Sequence, residues 1–312
     1  MRSWRSARPT LAGFPAFPSA WRPWVLAARV PTLPAAVAPV LVGTAAAAGT
    51  GVFHPAPALA ALAGALAIQI GTNYHNDAAD FLQGADDARR RGPQRAAASG
   101  LLPARRVLSG AYASFAVAAA AGLYLVWLRG WPVAVVGLLS IAAGIAYTAA
   151  PLRLGYRGLG EIFAFLFFGV VAVVGSDYVQ TGLVRAQAAA ASMPVGLLAV
   201  AVLVANNLRD IETDRAAGKR TLAVRLGAPA TRVLYAVCLA GALAVPAAMR
   251  AAGFLGDRFW LPWLGAPLAV MLAAAAYRSH DAGVLVRVLK RTAGLLLLYG
   301  VLLALALLGG PA

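Results

Sequence analysis

The 312-residue chain is 61% hydrophobic and only 12% charged, whereas about a quarter of the residues in a soluble domain are charged. Its formal net charge of +16 arises from 27 Lys and Arg against 11 Asp and Glu. The apolar content excludes an ordinary soluble fold, and the placement of the basic residues fits membrane topology and no nucleic-acid partner.

Apolar segments able to cross about 30 Å of hydrocarbon recur along the whole chain. They are expected near residues 25–50, 56–80, 107–128, 132–150, 160–181, 187–208, 231–250, 259–277 and 292–309. The expected class is therefore an all-α polytopic membrane protein of nine transmembrane helices in the lipid bilayer. Residues 1–23 are expected as a cytoplasmic N-terminal segment and residues 24–312 as a single intramembrane domain. The ten-residue alternation of a β-barrel is not found. Pro31, Pro34 and Pro39 and the length of the first apolar run argue for a retained helix rather than a cleaved signal. The single Cys238 excludes an intramolecular disulfide and reads as a small buried side chain.

Of the 27 basic residues, 23 precede the first span or follow the second, fourth, sixth and eighth. Arg129, Arg185, Arg250 and Arg258 alone lie on the other side. The positive-inside rule then puts the N-terminus and the end of every even-numbered span in the cytoplasm, with the C-terminus outside.

The scarce acids are not scattered. Asp77, Asp80, Asp86 and Asp87 fall in one window and Asp210, Glu212 and Asp214 in another, each at the cytoplasmic end of an even-numbered span. Asn73, Asp77 and Asp80 share one helix face, as do Asn206, Asp210 and Asp214. Four spans separate the two stripes, which suggests two weakly repeated four-helix halves plus a ninth helix. A carboxylate at a helix end can simply be solvated beside neighbouring arginines. Two stripes with Asn partners call for more, because ionisable groups inside a membrane cost roughly 2.5 to 3.5 kcal/mol each near its centre. Oxygen ligands without Cys or paired His favour Mg²⁺, which typically takes a few carboxylates plus substrate phosphates. Arg89, Arg90, Arg91 and Arg95 follow the first window, and Arg215, Lys219, Arg220 and Arg225 the second. Guanidinium forks suit phosphate oxygens, although topology alone also puts basic residues there.

The segments NDAADFLQGAD (Asn76 to Asp86) and NNLRDIETDRAAGKRTLAVRLG (Asn206 to Gly227) closely resemble the two Asp-rich motifs of the intramembrane aromatic prenyltransferase superfamily. AYTAAPLRLGYRGLGE, Ala146 to Glu161, carries a third resemblance, and the likeness extends over nearly the whole chain from Trp24. The pattern is most similar to the branch that acts on 1,4-dihydroxy-2-naphthoate in menaquinone synthesis. The resemblance implies a helix bundle around a central cavity, with Mg²⁺ held against a polyprenyl diphosphate by Asp77, Asp80, Asp86, Asp210 and Asp214. It further implies substrate contacts from Asn73, Asn76, Asn206 and Asn207, with Arg91, Arg95, Arg153, Arg209, Lys219 and Arg220 as cationic candidates. In related enzymes a Tyr, three residues and a Lys follow the fourth helix. Here Tyr147 is followed by Pro151 at the Lys position, with Arg153 two residues beyond, so Arg153 either takes over the cationic role or the branch does without it.

The implied chemistry is departure of diphosphate from an allylic carbon, attack by the electron-rich naphthoate ring, and loss of CO₂. Rings such as Tyr147, Phe163 or Tyr178 can stabilise a developing allylic cation, though rings in spanning helices more often pack. His75 lies between the stripe positions and reads as a neighbour. Glu161 either serves the helix dipole of the fifth span or faces the cavity to orient Arg153 or a substrate hydroxyl. Homogentisate, 4-hydroxybenzoate or a phosphoribosyl group are alternative substrates for the same class. A cation-coupled transporter is less compatible, because such proteins usually place acids near the bilayer midplane beside broken helices.

Overall fold

The computed structural model describes residues 20–84 and 95–310, and among these the chain is helical, with turns and no strand. In chain order the helices are α1 (Arg22–Ala28), α2 (Pro34–Ala48), α3 (Pro55–Leu82), α4 (Ala104–Arg129) and α5 (Trp131–Ala146). They continue as α6 (Gly160–Thr181), α7 (Ala186–Ala216), α8 (Leu222–Ala251), α9 (Asp257–Arg278) and α10 (Ala282–Leu307). Among the described residues seven helices are long and apolar enough to cross a membrane, or eight if α1 and α2 are one bent span. α5 is apolar but shorter, at 16 residues.

The expected first span is thus broken. α1 and α2 meet at 52° across a 3₁₀ turn, Val30–Thr32, and Arg29 is left-handed with φ 52°. Pro31 and Pro34 contribute to the break, since each removes an amide donor from the run. The Arg29 carbonyl accepts from the Thr32 amide at 2.7 Å and from Thr32 Oγ1 at 2.9 Å.

α7 is the central helix: 67% of its most apolar stretch is buried, against 17% for α3. With no hydrophobic drive between helices in lipid, close approach depends on small residues. Gly169 of α6 and Gly196 of α7 show it, because a Cβ at Gly169 would lie 2.6 Å from the Gly196 Cα. α6 widens to a π turn along this contact, Phe165–Val171. Buried hydroxyls find partners inside the core: Tyr235 and Thr292 are 2.6 Å apart, and Tyr299 donates to the Ala242 carbonyl at 2.6 Å.

Helices alternate in direction, so the ends of α3, α5 and α7 gather with the starts of α4, α6 and α8. The connections 95–103, 147–159 and 217–221 therefore lie together at one end of the bundle, where the acidic stripes arrive.

Candidate active site

The first stripe ends α3. Asp80 is 3% exposed and meets three partners: Arg95 at 2.8 Å, the Tyr156 hydroxyl at 2.6 Å, and Lys219 Nζ at 4.0 Å. The second stripe ends α7, and its Asp214 lies 3.7 Å from the same Lys219 Nζ. One ammonium therefore stands between a carboxylate from each stripe. Lys219 also sits 4.6 Å from the centre of the Tyr156 ring, and its backbone amide donates to the Asp214 carbonyl at 2.8 Å. Coulomb attraction at this range holds both carboxylates near a shared positive charge.

The connection between α5 and α6 closes the end. The Tyr156 carbonyl accepts from the Arg220 amide at 2.8 Å, and Arg225 donates to the Arg157 carbonyl at 2.8 Å, stitching this connection to the one after α7. Burial, and then the neighbouring charge and hydrogen bond of Asp80, push the Tyr156 phenol well above its ordinary range, so it stays a donor to Asp80. The Tyr147 phenol is raised by burial and by the charges of Glu161, Asp214 and Asp80. Arg153 has φ 43° and lies over the Tyr156 ring at 5.8 Å, with its Nε buried and without a hydrogen bond. A hollow of about 520 Å³ opens beside it, lined by Arg153, Tyr156, Arg157, Arg220 and Arg225.

Other sequence candidates have structural partners. Asp77, 1% exposed, accepts from the Ala96 amide at 3.0 Å and the Ala97 amide at 3.2 Å, so it anchors the turn that carries Arg95. Asn76 accepts from Thr148 Oγ1 at 2.8 Å, and its carbonyl accepts from Arg95 at 2.9 Å. Asn73 donates to the Ala28 carbonyl at 2.9 Å and to Thr32 at 3.0 Å, which ties α3 to the break between α1 and α2. Arg209 grips both oxygens of Asp210 at 2.7 and 2.5 Å and donates to Asn206 at 2.9 Å. Asn207 donates to Glu161 at 2.9 Å. His75 Nδ1 is 3.4 Å from Thr148 Oγ1. Asp86 and Arg91 fall outside the described residues. Tyr178 is not at this end, for its hydroxyl bonds the Arg129 carbonyl at 3.3 Å on the opposite side of the bundle.

Residues 36–291 match the model of the UbiA prenyltransferase family. The chain belongs to that family. Within it, a 1,4-dihydroxy-2-naphthoate octaprenyltransferase from Mycobacterium tuberculosis is 46% identical over 252 residues, covering 74% of this chain and 85% of the relative. A UbiA homolog from Aeropyrum pernix K1 has the same fold, with TM-score 0.68 and 17% identity over 86% of this chain and 96% of that one. A UbiA homolog from Archaeoglobus fulgidus bound to DMAPP and Mg²⁺ matches with TM-score 0.63 and 15% identity, covering 90% of this chain and 99% of the other.

Against this UbiA framework, Tyr156 and Thr148 are the residues that sequence reasoning missed. Both lie inside the quoted stretch Ala146 to Glu161. The available signal was a polar residue between Arg153 and Arg157 in a short connection, which is a faint one.

Proposed function

We propose that this UbiA-family protein transfers a polyprenyl group from polyprenyl diphosphate to 1,4-dihydroxy-2-naphthoate, with loss of diphosphate and CO₂, as a step in making menaquinone. The observation that carries the reading is the meeting of the two acidic stripes around Lys219, in a chain 46% identical to a naphthoate octaprenyltransferase.

The donor set fits a hard divalent cation. Asp80 and Asp214 approach one positive centre from two helices, and Mg²⁺ needs only one or two carboxylates when substrate phosphates complete its shell. Among the described residues no cluster of three His, Cys, Asp or Glu side chains could by itself hold a metal ion. Asp80 and Asp214 would hold Mg²⁺, while Asp77 and Asp210 would join only by giving up the Ala96 and Ala97 amides or Arg209. When bound, Mg²⁺ supplies Lewis-acid neutralisation of the departing diphosphate.

The chain's own residues do the rest. Lys219, Arg95, Arg153 and Arg220 supply positive charge at the end of the bundle where the diphosphate is placed, and charge-assisted bonds to phosphate strengthen as the leaving group gains charge. Tyr156 fixes Asp80 and Lys219 in register. Tyr147 offers its ring to the allylic carbon as positive charge develops there, and Phe163, stacked on Phe167 at 5.8 Å in the first turns of α6, extends the aromatic wall. The apolar bundle keeps water from the cation. The reading takes nine spans around a central cavity, counting the bent pair as one and α5 as one, and the positive-inside rule supports a cytoplasmic side for this end of a cell-membrane protein. The N-terminus then faces the cytoplasm and the C-terminus the outside.

Purified protein in detergent with Mg²⁺, a polyprenyl diphosphate and a panel of aromatic acids tests the reading. The expected result is a prenylated naphthoate with one CO₂ per product. Prenylation of homogentisate or 4-hydroxybenzoate with the naphthoate untouched would replace the acceptor, and no prenylated acid at all would sink the reading.

A further inference from the structure

Glu161 is not used by the chemistry above. It stands in the first turn of α6, 7% exposed. Its Oε1 accepts from Asn207 Nδ2 at 2.9 Å, while Oε2 is buried and makes no hydrogen bond. A buried carboxylate oxygen without a donor is expensive in an apolar bundle, and native structures rarely leave one unmet without a use. Arg153, the partner the sequence offered, lies over Tyr156 instead. The helix start is equally poor as an explanation, because a dipole role is served at the surface and needs no burial.

The surroundings say what Oε2 faces. Asn207 lies one helical turn before Asp210 on α7, so Glu161 is held one layer inside the acidic end of the bundle. Gly160 brings α6 against Tyr147, since a Cβ there would be 3.0 Å from the Tyr147 hydroxyl. Glu161 follows Gly160 directly and is bonded to Asn207 of the second stripe's helix, so it enters the bundle beside Tyr147 and just inside that stripe. A hydrogen-bond acceptor at that depth, beside the point where a prenyl diphosphate ionises, matches a phenolic hydroxyl on the attacking ring.

We propose that Glu161 is a catalytic residue for the acceptor, with Asn207 as the positioning residue that aims it. The inference rests on the prenyl-transfer reading above. Oε2 accepts the hydrogen bond of the hydroxyl adjacent to the acceptor's carboxylate. The ring carbon bearing the carboxylate uses a ring electron pair to form the new bond to the allylic carbon, whose C–O bond breaks with its pair leaving on diphosphate. The hydroxyl proton passes to Glu161 as that oxygen becomes a ketone. The resulting β-keto carboxylate loses CO₂, its C–C electron pair returning to the ring as an enolate, and Glu161 gives the proton back to the enolate oxygen. No net proton, oxidant or reductant is required.

Glu161→Gln keeps the size of the side chain and removes the proton acceptor. The expected result is a fall in kcat on the dihydroxynaphthoate of at least ~10²-fold, the lower range for a general acid-base group. Equilibrium binding of an unreactive polyprenyl thiolodiphosphate with Mg²⁺ should stay within about twofold, since such analogues probe donor binding alone. For wild type, methylating the hydroxyl beside the carboxylate should cost a similar factor, and the methylated acceptor should not distinguish wild type from Glu161→Gln. Turnover by Glu161→Gln within threefold of wild type, or a parallel loss of thiolodiphosphate binding, would overturn the proposal. If Glu161→Gln does not fold, equal rates for the free and methylated acceptors in wild type overturn it alone. A wild-type enzyme that leaves the naphthoate unprenylated defeats the functional reading, whereas prenylation that survives loss of the acceptor defeats only this role for Glu161.

Discussion

The two ends of the bundle use the same residue types for opposite purposes. At the end away from the stripes, Asp177, Arg185, Gln180 and Arg129 each close on a structural partner. Arg185 and the fully buried Asp177 form an ion pair, and Arg185 also donates to Thr50 at 3.0 Å. Gln180 both accepts from the His54 amide at 2.6 Å and donates to the His54 carbonyl at 3.0 Å. Arg129 caps α6 through the Val179 and Gln180 carbonyls at 3.0 and 2.6 Å. At the other end Lys219 is shared at 3.7 to 4.0 Å, Glu161 keeps an unbonded oxygen, and Arg153 Nε has no acceptor. A saturated polar cluster staples helices together. One left with spare valences is arranged for a ligand, and the difference separates stability from chemistry along a single helix axis.

The comparison breaks most sharply at the carboxylates. Asp80→Ala or Asp214→Ala should each reduce turnover on the order of 10³-fold or more, since several kcal/mol of charge stabilisation are lost and each 1.4 kcal/mol is about tenfold. The melting midpoint in detergent should change little for Asp214→Ala, whereas Asp80→Ala should also lower it, because buried Arg95 and Tyr156 lose their shared carboxylate. Asp177→Ala should act on stability instead: the charged hydrogen bonds between buried Asp177 and part-exposed Arg185 are lost, at a cost of about 1.5 to 3 kcal/mol, read by chemical or thermal unfolding, with turnover per folded molecule unchanged. Tyr156→Phe removes a neutral donor to a charged acceptor, worth roughly 1.5 to 3 kcal/mol, so about 10- to 100-fold in kcat/KM, without the loss of folded protein seen at Asp177. Gln180→Ala is the mildest, costing about 1 to 3 kcal/mol for the His54 groups it leaves unmet, visible only as a lower midpoint.

The sequence made the spans legible because hydropathy is additive over twenty residues, and it made the stripes legible because helical spacing lines up Asn206, Asp210 and Asp214. It did not show the bend at Arg29–Leu33, although Pro31 and Pro34 were plain to see. Two prolines in an apolar run permit either a kink or a break, and packing of Asn73 against Ala28 and Thr32 decides it. Nor did it show that Asp77 is spent on the Ala96 and Ala97 amides, because backbone donors carry no sequence signature. Tyr156 was hidden for a related reason. Its partners come from two distant parts of the chain, Asp80 from the end of α3 and Lys219 and Arg220 from the connection after α7, which no local pattern encodes.

The central claim is that the two acidic stripes share one cation site for the prenyl diphosphate. Binding of a polyprenyl thiolodiphosphate in the presence of Mg²⁺, measured for wild type, Asp80→Ala, Asp214→Ala and the double variant, tests it most directly. A shared site predicts that each single change abolishes the Mg²⁺-dependent part of binding and that the double variant is no weaker than either, because residues acting as one unit are non-additive. Losses that multiply in the double variant, or binding that is the same with and without Mg²⁺, would contradict it.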